Sequence, residues 1–294
     1  TIKSKKKYFK IKHGLHKGYN LWKLYNEAQT PLKWHKKLFY YGKRIGITIF
    51  STPFDESSVD FLEKLKCPMY KIASFEMTDI PLIKKIASTK KPMIISTGLA
   101  SLEEIETTFK ISKKYGAKNI TLLYCVSNYP SKNSDFNLNN IKILKNKFKC
   151  RIGLSDHSKT IYPCLGAISL GASIIEKHFT LHNKLPGPDH SFALMPEELK
   201  TMVKAIRNCE ESLGTGKKII QKEENELRDF AQRGIQAIQP IMKGDILKEG
   251  KNMDILRPGK LKKGMHPKFI VEINGKNATR NIEIGEGINQ GDYE

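Results

Sequence analysis

The chain predicts an α/β fold: a (βα)8 (TIM) barrel of which six strands are visible, two short of closure, followed by a small, mostly β domain. Three observations carry this expectation. From about residue 45 to residue 180, short β-branched apolar runs alternate with amphipathic stretches, the pattern of parallel βαβ units. Polar residues gather where these runs end, as in Ser51-Thr52, Ser74-Phe75-Glu76, Ser96-Thr97-Gly98, Ser155-Asp156-His157 and Glu176-Lys177-His178. A closed barrel uses the C-terminal ends of all its strands, whereas an open doubly wound sheet uses mainly one switch point, so polar clusters after so many runs favour the barrel. Beyond residue 226 the pattern changes to short β-like runs with glycine-containing turns.

The elements follow in order. Thr30-Pro31 reads as an N-cap with proline at the first helical position. Six strands are expected, at Ile47 to Phe54, Tyr70 to Ser74, Pro92 to Thr97, Ile120 to Cys125, Arg151 to Asp156 and Ala172 to Lys177. The stretches between them read as helices, one opened by the capping box Ser101-Leu102-Glu103-Glu104. A last helix runs from Pro196 to Leu213, with Gly214 just past its end. This makes residues 1–213 the partial barrel and residues 214–226, polar and rich in Lys and Glu, a linker. Residues 227–294 form the small domain, with turns at Lys243-Gly244-Asp245, Pro258-Gly259 and Gly285-Glu286-Gly287. At about 65 residues it is near the lower limit for an independent core and is expected to lean on a partner.

Composition excludes several functional classes. With 294 residues, 39% apolar and 28% charged, the chain is neither disordered nor collagenous. Its apolar runs are too short and interrupted to span a bilayer, and no signal peptide opens it; the cytoplasmic setting expected for it rests on its cysteines. The first residue is Thr1, read here as the sign of a missing natural start. The net charge of +21 invites a nucleic-acid reading, but only seven of the 51 basic residues are Arg and the lysines are scattered. Base and phosphate readout favours arginine's planar fork, so the charge reads as a solvated surface that attracts small anions. Cys67, Cys125, Cys150, Cys164 and Cys209 form no close pair, which excludes a CxxC motif and fits free thiols in a reducing compartment.

Several residues could carry chemistry. His157 and His178 each follow directly on an expected strand, so a barrel brings them to one rim, where two imidazoles can bind a divalent transition metal or simply cap strand ends. Asp156 or Glu176 would then support them from behind. Lys71 and Ser74 could hold a phosphate, with Thr52, Thr97 and Ser127 as further hydroxyl donors. Glu76 could act as a general acid or base if partly desolvated. Asp189, held between Pro188 and His190, is either a turn former or a positioned ligand for a substrate.

The strings FSTPFD (Phe50 to Asp55), YKIASFE (Tyr70 to Glu76), ISTG (Ile95 to Gly98), GLSDH (Gly153 to His157), IEKHFT (Ile175 to Thr180) and PGPDH (Pro186 to His190) resemble, in order and spacing, motifs of the sialic acid (nonulosonic acid) synthase family. That family condenses phosphoenolpyruvate with an N-acylated hexose to give a nine-carbon 2-keto sugar acid and phosphate. The stretch Ile255-Leu256-Arg257-Pro258-Gly259 resembles the antifreeze-like, or SAF, domain that follows the barrel in these enzymes. The resemblance covers essentially the whole chain.

What it implies can be placed residue by residue. His157 and His178 match metal ligands, usually of Mn²⁺, with Mg²⁺ or Co²⁺ as alternatives. Thr52, Lys71 and Ser74 match groups that hold phosphoenolpyruvate, and Glu76 matches an acid near the reacting carbons. Asp189 matches a ligand of the sugar, and Tyr129 a tyrosine lining the substrate site. Arg257 resembles an arginine delivered into a neighbouring subunit's barrel, which implies a domain-swapped homodimer; the scattered lysines and short apolar runs lead us to expect no nucleic-acid or membrane partner. Ala73-Ser74-Phe75-Glu76, Ser127, the segment Leu24 to Pro31 and Trp34-His35 resemble pseudaminic acid synthases. Pro186 to His190 is nearer to neuraminic and legionaminic acid synthases. The family's first two strands, with a Glu-containing Asn-His-Gly motif and a Lys-x-Gln motif, have no counterpart here. A second expectation therefore stands beside the enzyme: a truncated, inactive remnant that binds sugar or phosphate, or a subunit that needs a partner to supply the strands.

Overall fold

The computed structural model describes residues 9–12 and 17–294. It divides into two units, Thr1–Thr215 and Gly216–Glu294.

The first unit opens with α1 (Leu21–Ala28) and α2 (Leu32–Ile45). α2 begins one residue later than expected: Pro31, extended at ψ 130°, is itself the N-cap and no side chain caps the helix. Thr30 therefore does not take the capping role assigned to it. Five parallel strands then alternate with helices: β1 (Tyr70–Ile72), β2 (Met93–Ser96), β3 (Ile120–Cys125), β4 (Arg151–Asp156) and β5 (Ile174–Lys177). α3 (Glu56–Lys64) precedes β1, and α4 (Ile80–Ser88), α5 (Leu102–Lys114), α6 (Asn140–Phe148) and α7 (Tyr162–Ser169) connect the strands. α8 (Pro196–Leu213) closes the unit, with proline in its first turn and Gly214 at its C-cap.

The strand order β1-β2-β3-β4-β5 follows the chain without reversal. A doubly wound sheet must reverse at its switch point, so uninterrupted sequential order is that of a half-barrel. The strands are nearly continuous apolar runs because both faces are covered, and Tyr70, Ile72, Met93, Ile95 and Leu122 are essentially inaccessible. Helices α3 to α7 cover the outer face with residues such as Leu62, Ile83, Ile86, Phe109, Ile141 and Leu144. The capping box of α5 is formed: Glu104 N–H donates to Ser101 Oγ at 3.2 Å and Ser101 N–H to Glu104 Oε2 at 2.7 Å.

One expected strand does not form. In the run from Ile47 to Phe54 only Ser51 pairs, in a single parallel bridge to Tyr70, with Lys71 N–H donating to Ser51 O at 3.3 Å. A strand at the edge of a parallel sheet, with no second neighbour among the described residues, gains only one row of hydrogen bonds. Ile47, Phe50 and Phe54 remain exposed, as do Leu32, Trp34, Tyr40 and Tyr41 of α2, so this side of the sheet is an apolar margin.

The second unit starts with a short turn at Lys222–Glu224 and α9 (Asn225–Ala231). Asn225 and Glu226, assigned to the linker by composition, thus belong to a helix. β6 (Gly234–Ala237) and β7 (Met253–Leu256) form an antiparallel pair, with Gln236 opposite Asp254. β6 is shorter than the run Gly234 to Ile241 because Pro240 cannot donate to a ladder; Ile241 instead makes an isolated bridge to Ile282. Ile235, Leu247, Met253, Ile273, Ile282 and Ile288 form a core of this unit's own, and α10 (Ile270–Ile273) supplies part of it.

Ile95 sits fully buried in the middle strand pairings of the first unit, whereas Ser101 acts through a single exposed cap. We expect Ile95→Ala to cost about 2–5 kcal/mol and Ser101→Ala about 1 kcal/mol. Chemical denaturation followed by circular dichroism should therefore rank Ile95→Ala well below Ser101→Ala, and equal midpoints would contradict the half-barrel core.

Candidate functional site

The polar residues at the C-terminal ends of the strands converge. Lys71 comes from β1, and Ser74 and Glu76 from the 3-10 turn that follows it. Thr97 and Gly98 follow β2, Ser127 and Tyr129 follow β3, and His157 and His178 follow β4 and β5.

One part of the site suits an anion. The Lys71 residue is only 7% exposed, and its Nζ lies 3.4 Å from Glu176 Oε1 and donates to Ile72 O at 3.2 Å. Ser74 and Ser127 meet over Gly98: a Cβ at residue 98 would lie 2.4 Å from Ser127 Oγ, 2.9 Å from Ser74 Oγ and 3.1 Å from Cys125 Sγ. Only glycine lets these hydroxyls close on one another. Thr97 is buried, and its hydroxyl donates to Leu123 O at 3.0 Å, so its present role is to fix the loop. Thr52 is half-buried, next to the Ser51 bridge that pins its backbone beside β1.

The other part is a cluster of rings. Tyr129 lies against His157 with centroids 4.1 Å apart, and His157 and His178 are 5.4 Å apart. Phe192 backs His178 at 4.9 Å. His157 Nδ1 lies 2.8 Å from the Val126 carbonyl, which can only accept, so that nitrogen carries a proton. His157 Nε2 lies 3.4 Å from Ser155 Oγ, but the Ser155 hydroxyl donates to Glu176 Oε1 at 2.7 Å. With that proton committed, the lone pair on Nε2 of neutral His157 has no donor from Ser155. His178 Nδ1 stands 3.6 Å from Asp189 Oδ2. The donor set therefore fits a divalent cation held by two imidazoles, with water or substrate completing it. No group of three or more His, Cys, Asp or Glu suited to a metal is assembled among the described residues.

Burial and neighbouring charge tune these groups. Burial lowers the His178 pKa, the Asp189 carboxylate only partly offsets this, and His157 pushes it down further, so the net shift favours the neutral ring. Burial would lower His157 too, but contact with Cys125 and the Val126 carbonyl outweighs it and the net shift is upward. Burial would raise Cys125, yet His157, Ser74 and Ser127 outweigh it and bring the thiol down. Burial raises Glu76, and its Oε2 is buried without a hydrogen-bond partner. Burial also raises the Tyr129 phenol, with Cys125 and Asp189 adding to the effect.

Of the residues singled out by sequence, the structure brings together Lys71, Ser74, Glu76, Thr97, Ser127, Tyr129, His157, His178 and Asp189 around these strand ends. Arg257 lies in the second unit, exposed just past β7, and joins none of the others within that unit. Asp156 makes no hydrogen bond or ion pair with either histidine; it pairs with Lys177 at 2.6 Å. Sequence reasoning missed Ser155, Gly98 and Cys125 as parts of the site and gave Glu176 too small a place. Strand alternation would have found Ser155, which lies two residues before His157 and so shares its face.

A family model described as the NeuB family matches residues 1–218. The whole chain is 40% identical over 294 residues to a pseudaminic acid synthase of Campylobacter jejuni, covering 84% of that protein. It is also 40% identical over 266 residues to an N,N'-diacetyllegionaminic acid synthase of the same species, covering 90% of this chain and 78% of the relative. Among solved structures, the N-acetylneuraminic acid (sialic acid) synthetase of Leptospira borgpetersenii superposes with a TM-score of 0.66 at 37% identity, over 70% of this chain and 72% of that one. Fold, strand-end chemistry and kinship agree, and the chain belongs to the NeuB family.

Proposed function

We propose that the protein is a nonulosonic acid synthase that condenses phosphoenolpyruvate with an N-acylated hexose, most nearly 2,4-diacetamido-2,4,6-trideoxy-altrose, to give pseudaminic acid and phosphate. The observation that carries the reading is a continuous chain of contacts between the two halves of the site. Lys71 meets Glu176 at 3.4 Å, Ser155 donates to Glu176 at 2.7 Å, and His157 lies 3.4 Å from Ser155. A subsite for an anion and a subsite for a polarised carbonyl are thereby held side by side, as joining an enol phosphate to an aldehyde requires.

In this reading Lys71, Ser74, Ser127 and Thr52 hold the phosphate and carboxylate of phosphoenolpyruvate. His157 and His178 hold a divalent cation, Mn²⁺ in preference to Mg²⁺ or Co²⁺, which supplies Lewis-acid polarisation of the sugar aldehyde when bound. Asp189 and Tyr129 orient the open-chain sugar. C3 of phosphoenolpyruvate forms the new bond to the aldehyde carbon, whose oxygen takes up a proton. Water adds at C2 and gives up a proton, and the tetrahedral intermediate breaks its C2–O bond to phosphate to leave the 2-keto acid. Glu76, held toward its protonated form by burial, has the position and the unsatisfied oxygen to pass a proton at this point. The second unit is read as an antifreeze-like domain that presents Arg257 to the sugar in a partner's barrel, within a cytoplasmic homodimer. No helix among the described residues is long and apolar enough to cross a membrane.

Incubation of the chain with phosphoenolpyruvate, Mn²⁺ and each candidate N-acylated hexose tests the reading through release of inorganic phosphate. The altrose derivative should give the highest kcat/KM; preference for a legionaminic or neuraminic precursor would move the substrate assignment, and no turnover with any sugar would favour a binding remnant.

The raised pKa of Glu76 sets a second expectation. Between the ordinary carboxylate value and the raised one, the folded chain binds a proton that the unfolded chain has lost, so this group's contribution to stability falls as pH rises through that interval. Glu76→Gln removes the penalty and should raise the thermal midpoint more at about pH 8 than at about pH 4. It should also lower kcat with little change in phosphoenolpyruvate KM. An equal shift at both pH values would mean that Glu76 ionises normally.

For Arg257, the outcome to look for is complementation. Arg257→Ala and His157→Ala chains, each inactive or nearly so toward the sugar, should regain activity when unfolded and refolded together, because one hybrid site in the mixed dimer is intact. A mixture that dimerises and stays inactive would assign Arg257 to its own barrel or to no site.

A further inference from the structure

Behind the imidazole pair, on the face of the sheet turned toward α7, lies a second polar cluster that the reaction does not use. Asp156 and Lys177 are opposite one another in the β4–β5 register, and each immediately precedes one of the two histidines. Both side chains are buried, at 0% and 5% exposure. Lys177 Nζ donates to Asp156 Oδ2 at 2.6 Å, Ser158 O at 2.5 Å and Thr160 O at 3.0 Å, with Ser158 Oγ at 3.3 Å. An ammonium has three protons, and they are matched by a carboxylate and two carbonyls. Asp156 is equally committed: Oδ1 accepts from Ser158 N–H at 2.8 Å, and Oδ2 accepts from Cys164 of α7 at 3.1 Å.

The cluster reaches the site through backbone. Ser131 N–H donates to His157 O at 3.1 Å, and Ser131 bridges Ser158 in parallel. Thr160 Oγ1 donates to Asn133 Oδ1 at 3.1 Å. The turn shaped by Lys177 is thus tied to the loop that carries Tyr129, the ring packed on His157. A buried ion pair gains little stability over an apolar pair of the same volume, because desolvation offsets the attraction. What it adds is direction: an apolar pair would fill the space between the strands but could not hold two carbonyls of the turn.

We propose that Asp156 and Lys177 are positioning residues. The pair locks the ends of β4 and β5 together and shapes the Ser158–Thr160 turn, so that His157, His178 and Tyr129 leave their strands at the separation a shared ligand requires. The inference rests on the reading of His157 and His178 as cation ligands, and its test separates the two.

The test replaces the charged pair by the neutral Asp156→Asn, Lys177→Met double variant of the whole chain. Long-range ¹H–¹⁵N spectra at a single pH, with ring signals assigned from His157→Gln and His178→Gln, report the imidazole surroundings. Electron paramagnetic resonance of free Mn²⁺ reports binding. The double variant should keep the far-ultraviolet circular dichroism of the parent, move both ring signals and weaken Mn²⁺ binding about 10–100-fold. If it does not fold, Lys177→Arg, which keeps the charge but cannot concentrate it between carboxylate and carbonyls, carries the same measurements. Unchanged ring signals in whichever variant folds would overturn the proposal, as would failure of both to fold, since the pair would then serve stability alone. If the parent chain binds no Mn²⁺, the cation reading falls and the ring signals alone decide the positioning role.

Discussion

The parallel register of β4 on β5 is the constraint on which the rest of the site depends. It sets Ser155 opposite Glu176 and Asp156 opposite Lys177. Side chains alternate across a strand, so one register puts the first pair with the two histidines and the second pair against α7. A slip of one residue would exchange the faces, turning Ser155 and Glu176 toward the helices and the ion pair toward the histidines. Gly153 helps hold this register, because a Cβ there would lie 2.3 Å from the Ile174 carbonyl oxygen.

Given that register, the electrostatics follow from burial. The rings of Tyr129, His157, His178 and Phe192 pack on one another, while the polar chain from Lys71 to Ser155 supplies charge and hydrogen bonds at their edge. His157 and His178 are the same residue type at matching strand ends, yet they are driven in opposite directions, up for the first and down for the second. The difference lies in what each ring meets: a thiol and a backbone carbonyl for His157, and burial beside another imidazole for His178.

The second unit is built on a different economy. It has little regular sheet, only the β6–β7 pair, and is otherwise fastened by isolated bridges and by side chains that stand in for a ladder. Gln236 is the clearest case: buried, it donates to Gly285 O at 2.9 Å and accepts from Gly264 N–H at 2.7 Å, tying two loops to β6. The segment beginning at Arg257 is thus anchored a few residues further on, while Arg257 itself stays exposed.

The sequence by itself determined the alternation of strands and helices, the sequential parallel order and the gathering of Lys71, Ser74, Glu76, His157 and His178 at one rim. These depend on local periodicity and on the rule that βαβ units place all strand ends together, and both are written in consecutive residues. Only the tertiary structure decided that Ile47 to Phe54 would not become a strand, because a strand exists through its partners rather than its own β-branched residues. It likewise decided that Asp156 turns away from the histidines while Ser155 and Glu176 join them, and that Cys125 enters the site beside Gly98. Those outcomes are set by side-chain alternation and cross-strand register between residues far apart in the chain, distances that no local pattern encodes.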